Sequence, residues 1–352
     1  MSRTINMMSK AHKVKGQGVL SAYEEQVSLV ENNLKHIYDV KINEVKFADI
    51  MHYHTINFEF FLTIPFAKIK SSTVGYVHFL PETLENSIKL PKIIKNIFYK
   101  YVINFYKNMD YLITVNPYFI DKLVAYGIDR DKITYIPNYV SKKRFFKMDK
   151  KYVNNARKEF GIDNNKFVVL CAGQLQKRKG IFDFIEVAKQ MPEVQFVWAG
   201  GFSFKKISDG YEEIKKLMEN PPSNVKFLGI IPREKMNELF NASDMLFLAS
   251  YEELFPMIVL ESSNCKLPIL LRDIELYKGI LDGCYLKGST NQEFIDQINQ
   301  IKNDETSYNK AVQMSEECAK KYSEENVTKL WKAYYNKIYK RGQKKRDKKD
   351  KK

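Results

Sequence analysis

Short apolar runs recur along the chain, each closed by glycine, proline or polar residues and followed by a stretch with helical spacing. That alternation predicts parallel sheets wrapped by helices, an α/β architecture. In the first half, strands are predicted at 4–8, 38–43, 48–55, 73–78, 111–115 and 132–140. Helical spacing covers 21–30 and a short segment that runs from Asn116-Pro117 to Gly127. In the second half, strands are predicted at 165–173, 194–201, 224–231, 245–250 and 266–270, with helices over 234–241 and 325–340. Between the halves, the polar run 141–155 reads as a linker.

One junction concentrates chemistry. The apolar run 245–250 delivers Glu253 to a loop, and Pro256 stands where a helix should start, since a first-turn residue has no N–H to lose. That helix carries Glu261. Ligands of open α/β sheets sit outside the carboxyl ends of strands, where helix N-termini offer unpaired N–H groups to anions. Two carboxylates eight positions apart suit a polyhydroxylated ligand that also bears phosphate. The plainer alternative is a helix-terminal charge at Glu253 and a solvated face at Glu261.

A chain of 352 residues is long for one core and comfortable for two domains. No run approaches the ~18 apolar residues of a spanning helix, and the start lacks the apolar core of a signal peptide, so a cytoplasmic protein is expected. Cys171, Cys265, Cys284 and Cys318 show no metal spacing and read as core residues or free thiols. His52, His54 and His78 fall at predicted strand ends. They read as hydrogen-bonded structural groups or as ligands, and no carboxylate completes a metal set.

Charge is unevenly placed. Residues 1–150 hold 22 Lys/Arg against 14 Asp/Glu, and residues 340–352 hold nine against two, within a net charge of +15. A basic front half and tail call for an anionic partner, either nucleic acid or an anionic membrane surface. Residues 86–107 sharpen this: five lysines and no acid after Glu85 interleave with an apolar stripe of Ile94, Ile97, Phe98, Tyr101, Val102 and Phe105. That is the profile of a helix lying in a membrane interface, or of a core helix with a basic solvated face. No nucleic-acid module is recognisable, so no nucleic-acid partner is expected. The tail 341–352 is low-complexity and charged, hence expected to be disordered, either as a second membrane anchor or as a solubilising end.

The stretch E-L-F-P-M-I-V-L-E at 253–261 resembles the Glu-x7-Glu signature of retaining GT-B glycosyltransferases of family 4. The loop G-Q-L-Q-K-R-K-G at 173–180 is similar to that family's G-R-x-x-x-x-K-G, and I-P-N-Y-V at 136–140 to its linker entry. The resemblance implies two Rossmann-like domains facing a central cleft, with a last helix crossing back to the first. The domains are expected at 1–145 (acceptor- and membrane-facing) and 146–322 (nucleotide-sugar-binding), with the crossing helix at 323–340. It also implies that Glu253 contacts the donor sugar, Glu261 the ribose, His78 the sugar from the acceptor domain, and Lys179 the diphosphate. The family's arginine is Gln174 here, which leaves Arg178 as the candidate second cation. Gly16, Gly18, Gly173, Gln174, Phe255, Pro256, Met257, Ile258 and Ile231 fall at donor-binding positions. No metal or other cofactor is implied beyond the donor substrate, UDP-glucose.

K-V-K-G-Q-G-V, H-F-L-P-E-T-L-E and the loop variant at 173–180 look like glycolipid glucosyltransferases of Gram-positive bacteria, which add a second glucose to glucosyl-diacylglycerol in lipoteichoic acid anchor synthesis. The expected partners are therefore a UDP-sugar donor, a diacylglycerol-type glycolipid acceptor and the inner face of the cell membrane, where the protein would sit peripherally. Two alternatives stand: a capsule or wall-polysaccharide transferase with a lipid-diphosphate acceptor, and a catalytically silent GT-B partner subunit.

Overall fold

The computed structural model describes residues 3–13, 18–81, 91–202 and 210–350. They form two compact units, one of the described residues up to 81 with 91–139 and 324–350, the other of those within 140–323. Each unit is built on one six-stranded parallel sheet with helices packed on it.

In the first unit the strands are β1 (Arg3–Met8), β2 (Tyr38–Ile42), β3 (Ile50–Tyr53), β4 (Ser72–Val77), β5 (Tyr111–Thr114) and β6 (Ile133–Tyr135). Their order is β2-β1-β3-β4-β5-β6, so the winding reverses between β1 and β3. The helices α1 (Gly18–Asn33), α2 (Phe58–Lys70), α3 (Lys92–Lys107) and α4 (Tyr118–Ala125) connect them. Residues such as Ile5, Met7, Ile50, Val74 and Ile113 are wholly buried, as the apolar strand runs require.

Helix α2 escapes the sequence pattern. Pro65 lies inside it, where the ring removes an N–H and ordinarily ends a helix. Its inner face, Phe60, Ile64 and Ala67, is buried, while Phe58, Leu62, Phe66 and Ile69 are each more than half exposed. Helix α3 splits the predicted stripe by position. Val102, Ile103, Phe105 and Tyr106 of its second half are core, whereas Ile93, Ile94 and Ile97 of its first half face outward. Tyr101 joins the two helices: its ring lies 5.6 Å from that of Phe61, and its hydroxyl donates to Ile56 O at 2.5 Å. The stretch 86–90 of the basic run lies outside the described residues.

In the second unit the strands are β7 (Val168–Ala172), β8 (Gln195–Ala199), β9 (Val225–Gly229), β10 (Met245–Leu248), β11 (Ile269–Arg272) and β12 (Leu286–Gly288). The helices are α5 (Lys150–Phe160), α6 (Ile181–Lys189), α7 (Tyr211–Glu219), α8 (Arg233–Asn241), α9 (Met257–Asn264), α10 (Asn291–Asn303) and α11 (Glu305–Lys321). The order β12-β11-β10-β7-β8-β9 reverses between β7 and β10, which opens a crevice at their carboxyl ends. The predicted linker is partly structure: 150–155 open α5, whose Arg157 is buried, donates to Ala242 O and pairs with Asp244 at 2.8 Å.

The last helix, α12 (Glu324–Asp350), belongs to the first unit, where Trp331, Tyr335 and Ile338 are buried. It corrects the expected disorder over 341–350, which are helix; 351–352 of the tail lie outside the described residues. A charged segment cannot hold a helix by itself, but this one is docked. Arg346 donates to Asp49 Oδ1 at 3.2 Å and to Lys70 O at 3.3 Å. Gly342 meets Ser72 so closely that a Cβ there would lie 2.6 Å from its Oγ.

Candidate active site

The loops that follow β7 and β10 flank the reversal of the second sheet, and they are stitched together through backbone. Gly173 N donates to Ala199 O at 2.9 Å, and Trp198 Nε1 donates to Gly173 O at 3.2 Å. Residues 177–179 make one 3-10 turn, ended by Gly180 at φ +72°. A Cβ on Gly180 would lie 2.2 Å from Ala249 O, so only glycine lets this turn close on the end of β10. Tyr251 N then donates to Arg178 O at 2.8 Å, and Arg178 Nη1 to Glu252 O at 3.4 Å.

This stitching brings Lys179 and Glu253 into an ion pair whose side chains are 17% and 10% exposed. Burial pushes the Lys179 ammonium below its usual range, against the opposing pull of Glu253. Arg178 Nε is buried with no partner among the described residues. Gln174 is half-buried in the same loop.

Helix α9 starts just after Pro256, which takes the N-cap place, one residue before the predicted first turn. The helix turns Glu261 inward, 6% exposed and 3.5 Å from Arg233 Nη2 at the start of α8. Arg233 is a site residue that the sequence reading missed; it lies 28 positions from its partner, and only its place directly after Pro232 hinted at a helix start. Phe255, Pro256 and Met257 are buried, with the Phe255 ring 5.0 Å from that of Tyr322, while Ile258 and Ile231 are half-buried. The glutamates are thus neither solvated nor idle, and both face cations.

The first unit holds His78, and not alone. Its ring stacks on Tyr76 at 4.3 Å, and His54 lies 5.2 Å beyond Tyr76 and 4.2 Å from His52. His52 Nδ1 is 2.9 Å from Tyr335 Oη, which also accepts from Gln26 Nε2 at 2.8 Å. Burial lowers His52 and His78 to about 3 and His54 well below its usual value. At neutral pH all three rings are therefore uncharged, and His78 can exchange hydrogen bonds but not act as a standing cation. Among the described residues no three His, Cys, Asp or Glu side chains are grouped to hold a metal ion. Gly18 is exposed at the start of α1, and Gly16 lies outside the described residues. All four cysteines are buried free thiols.

Two family models match the chain: "Glycosyl transferases group 1" over residues 153–321 and "Glycosyltransferase Family 4" over 43–144. The alpha-galactosylglucosyldiacylglycerol synthase of Streptococcus pneumoniae is 44% identical over 333 residues, covering 95% of this chain and 89% of the relative. The processive diacylglycerol alpha-glucosyltransferase of Acholeplasma laidlawii is 29% identical over 280 residues, 79% of this chain and 76% of that one. Among solved structures, Anabaena HepE in complex with UDP and glucose matches with a TM-score of 0.74 at 14% identity, over 94% of this chain and 99% of that chain.

Proposed function

This chain belongs to the family 4 glycosyltransferases, an enzyme family of GT-B fold, and on that premise we propose that it moves a hexose from UDP-hexose onto glucosyl-diacylglycerol with retention at the anomeric carbon. The observation that carries the reading is the Lys179–Glu253 pair at the β7/β10 reversal, with Glu261 held inward beside it in sequence on α9. Glu253 orients the sugar hydroxyls and Glu261 the ribose. Lys179 and Arg178 meet the charge that grows on the diphosphate as the bond to the anomeric carbon breaks, a large contribution when cations are already in place. Arg178, with its unpartnered Nε, takes the part of the arginine that Gln174 replaces. Gly173, Gln174, Phe255, Pro256, Met257, Ile258 and Ile231 complete the donor site, Gly16 and Gly18 serve the diphosphate, and His78 serves the sugar as a neutral hydrogen-bonding ring.

The leaving phosphate takes the proton of the acceptor hydroxyl, so the new glycosidic bond forms without a protein base or a metal. The pneumococcal relative is named for galactose beside glucose, the Acholeplasma one for glucose. Galactose therefore stands with the glucose expected from the sequence as donor sugar. The outward faces of α2 and α3 support a lipid acceptor: seven bulky apolar side chains of these two helices are exposed beside Lys70, Lys92, Lys100 and Lys107. No helix among the described residues is long and apolar enough to cross a membrane. Peripheral docking of this face on anionic lipid, on the cytoplasmic side, completes the proposal.

Radiolabelled UDP-glucose and UDP-galactose, each offered diacylglycerol, glucosyl-diacylglycerol or a lipid-diphosphate glycan in phosphatidylglycerol vesicles, test it. Dihexosyl-diacylglycerol from glucosyl-diacylglycerol is the expected product. Exclusive labelling of the lipid-diphosphate acceptor would favour the polysaccharide alternative.

A further inference from the structure

We propose that Arg272 is a positioning residue for the transfer reaction, clamping the loop that carries Glu253 onto the turn that carries Lys179; this rests on the donor-site reading above. Arg272 ends β11 and is 8% exposed. Its guanidinium makes two hydrogen bonds, Nε to Ala249 O at 2.9 Å and Nη1 to Ser289 O at 2.8 Å, and Nη2 forms an ion pair with Asp183 Oδ1 at 3.1 Å, in the first turn of α6. Its face covers the Tyr251 ring at 4.0 Å. The Tyr251 hydroxyl in turn donates to Asp183 Oδ2 at 2.9 Å, and the Tyr251 N–H to Arg178 O.

The segment 249–256 has neither helix nor strand, so nothing periodic fixes where Glu253 points. Arg272 supplies the missing constraint at two of the four positions before Glu253. It holds Ala249 by its carbonyl and Tyr251 by its ring, and Asp183 ties Arg272 and Tyr251 to α6. Ala249 O is also the atom over which Gly180 closes, so one guanidinium fixes the spacing between the two loops. Asp183 neutralises the charge, which leaves Arg272 a scaffold and not a phosphate ligand. A lysine cannot replace it, because a single ammonium lacks both the planar fork and the stacking face.

The test uses R272K, R272Q and Y251A in the full-length protein. Calorimetry gives the UDP dissociation constant, and transfer from UDP-hexose to glucosyl-diacylglycerol in mixed micelles gives kcat and KM. A misplaced Glu253 harms the sugar and not the nucleotide. The expectation is therefore a kcat lowered about tenfold in R272K and further in R272Q, with UDP affinity within about threefold of wild type. Y251A should lower kcat similarly, and R272Q/Y251A should fall no more than about twofold below R272Q, because the two side chains act as one unit. Wild-type kcat in R272Q, or a proportional loss of kcat, UDP affinity and thermal midpoint, overturns the clamp. A wild-type protein that binds no UDP overturns the donor-site reading and the clamp together.

Discussion

Lowering the pH should destabilise the first unit through its histidine stack. The folded rings of His52 and His78 titrate near 3 and His54 is also held well below 6.5, so they stay neutral as the pH falls. In the unfolded chain each returns to about 6.5 and binds a proton, so the unfolded state gains protons and stability is lost below that pH. The loss continues until the folded rings themselves titrate, near 3 for His52 and His78. At pH 5.5 each ring costs about 1.4 kcal/mol, and three cost about 4 kcal/mol relative to neutral pH. That is a large share of the 5–15 kcal/mol typical of a domain. The chain has two tryptophans, Trp331 in the first unit, 5.7 Å from His52, and Trp198 in the second. In W198F, Trp331 fluorescence reports the first unit alone. Urea titrations should give a slope that averages about two protons between pH 7 and 5.5 and approaches three only at the acid end, and H54Q should remove about a third of it. A slope of one proton or less would refute the neutral stack.

Other perturbations bear on the second unit and the outer face. Lys179→Met should lower kcat/KM more than about a hundredfold while the protein still folds, checked by steady-state kinetics and circular dichroism. Gly180→Ala must place a Cβ 2.2 Å from Ala249 O at φ +72°, and should cost several kcal/mol in urea unfolding, or about 2 at the least. Replacing Leu62 and Phe66 by serine, each more than half exposed, should weaken flotation with phosphatidylglycerol vesicles roughly tenfold yet leave transfer in micelles intact.

Both sheets are visible in the sequence because buried parallel strands need continuous apolar runs, and Val168–Ala172 or Met245–Leu248 can be little else. Lys179, Glu253 and Glu261 stood out through the two motifs shared with family 4; spacing alone left the glutamates open to a helix-terminal charge and a solvated face, and the structure pairs both with cations. What spacing cannot carry stayed hidden. Arg233 and Arg272 meet their partners across 28 and 89 positions, and a lone arginine in sequence says nothing of where its guanidinium goes. Helix α2 was masked by Pro65 and by apolar residues on both its faces, which blur helical periodicity. The basic end of α12 read as disordered because its order comes from Asp49 and Lys70, nearly 300 residues earlier.

The most direct test of the donor site separates nucleotide binding from chemistry in two variants. Glu253→Gln should keep UDP affinity within about threefold and lose at least about a hundredfold in kcat, whereas Glu261→Gln should weaken UDP binding about tenfold or more. Full turnover in Glu253→Gln, or unchanged UDP affinity in Glu261→Gln, would contradict the placement of the sugar and the ribose in this crevice.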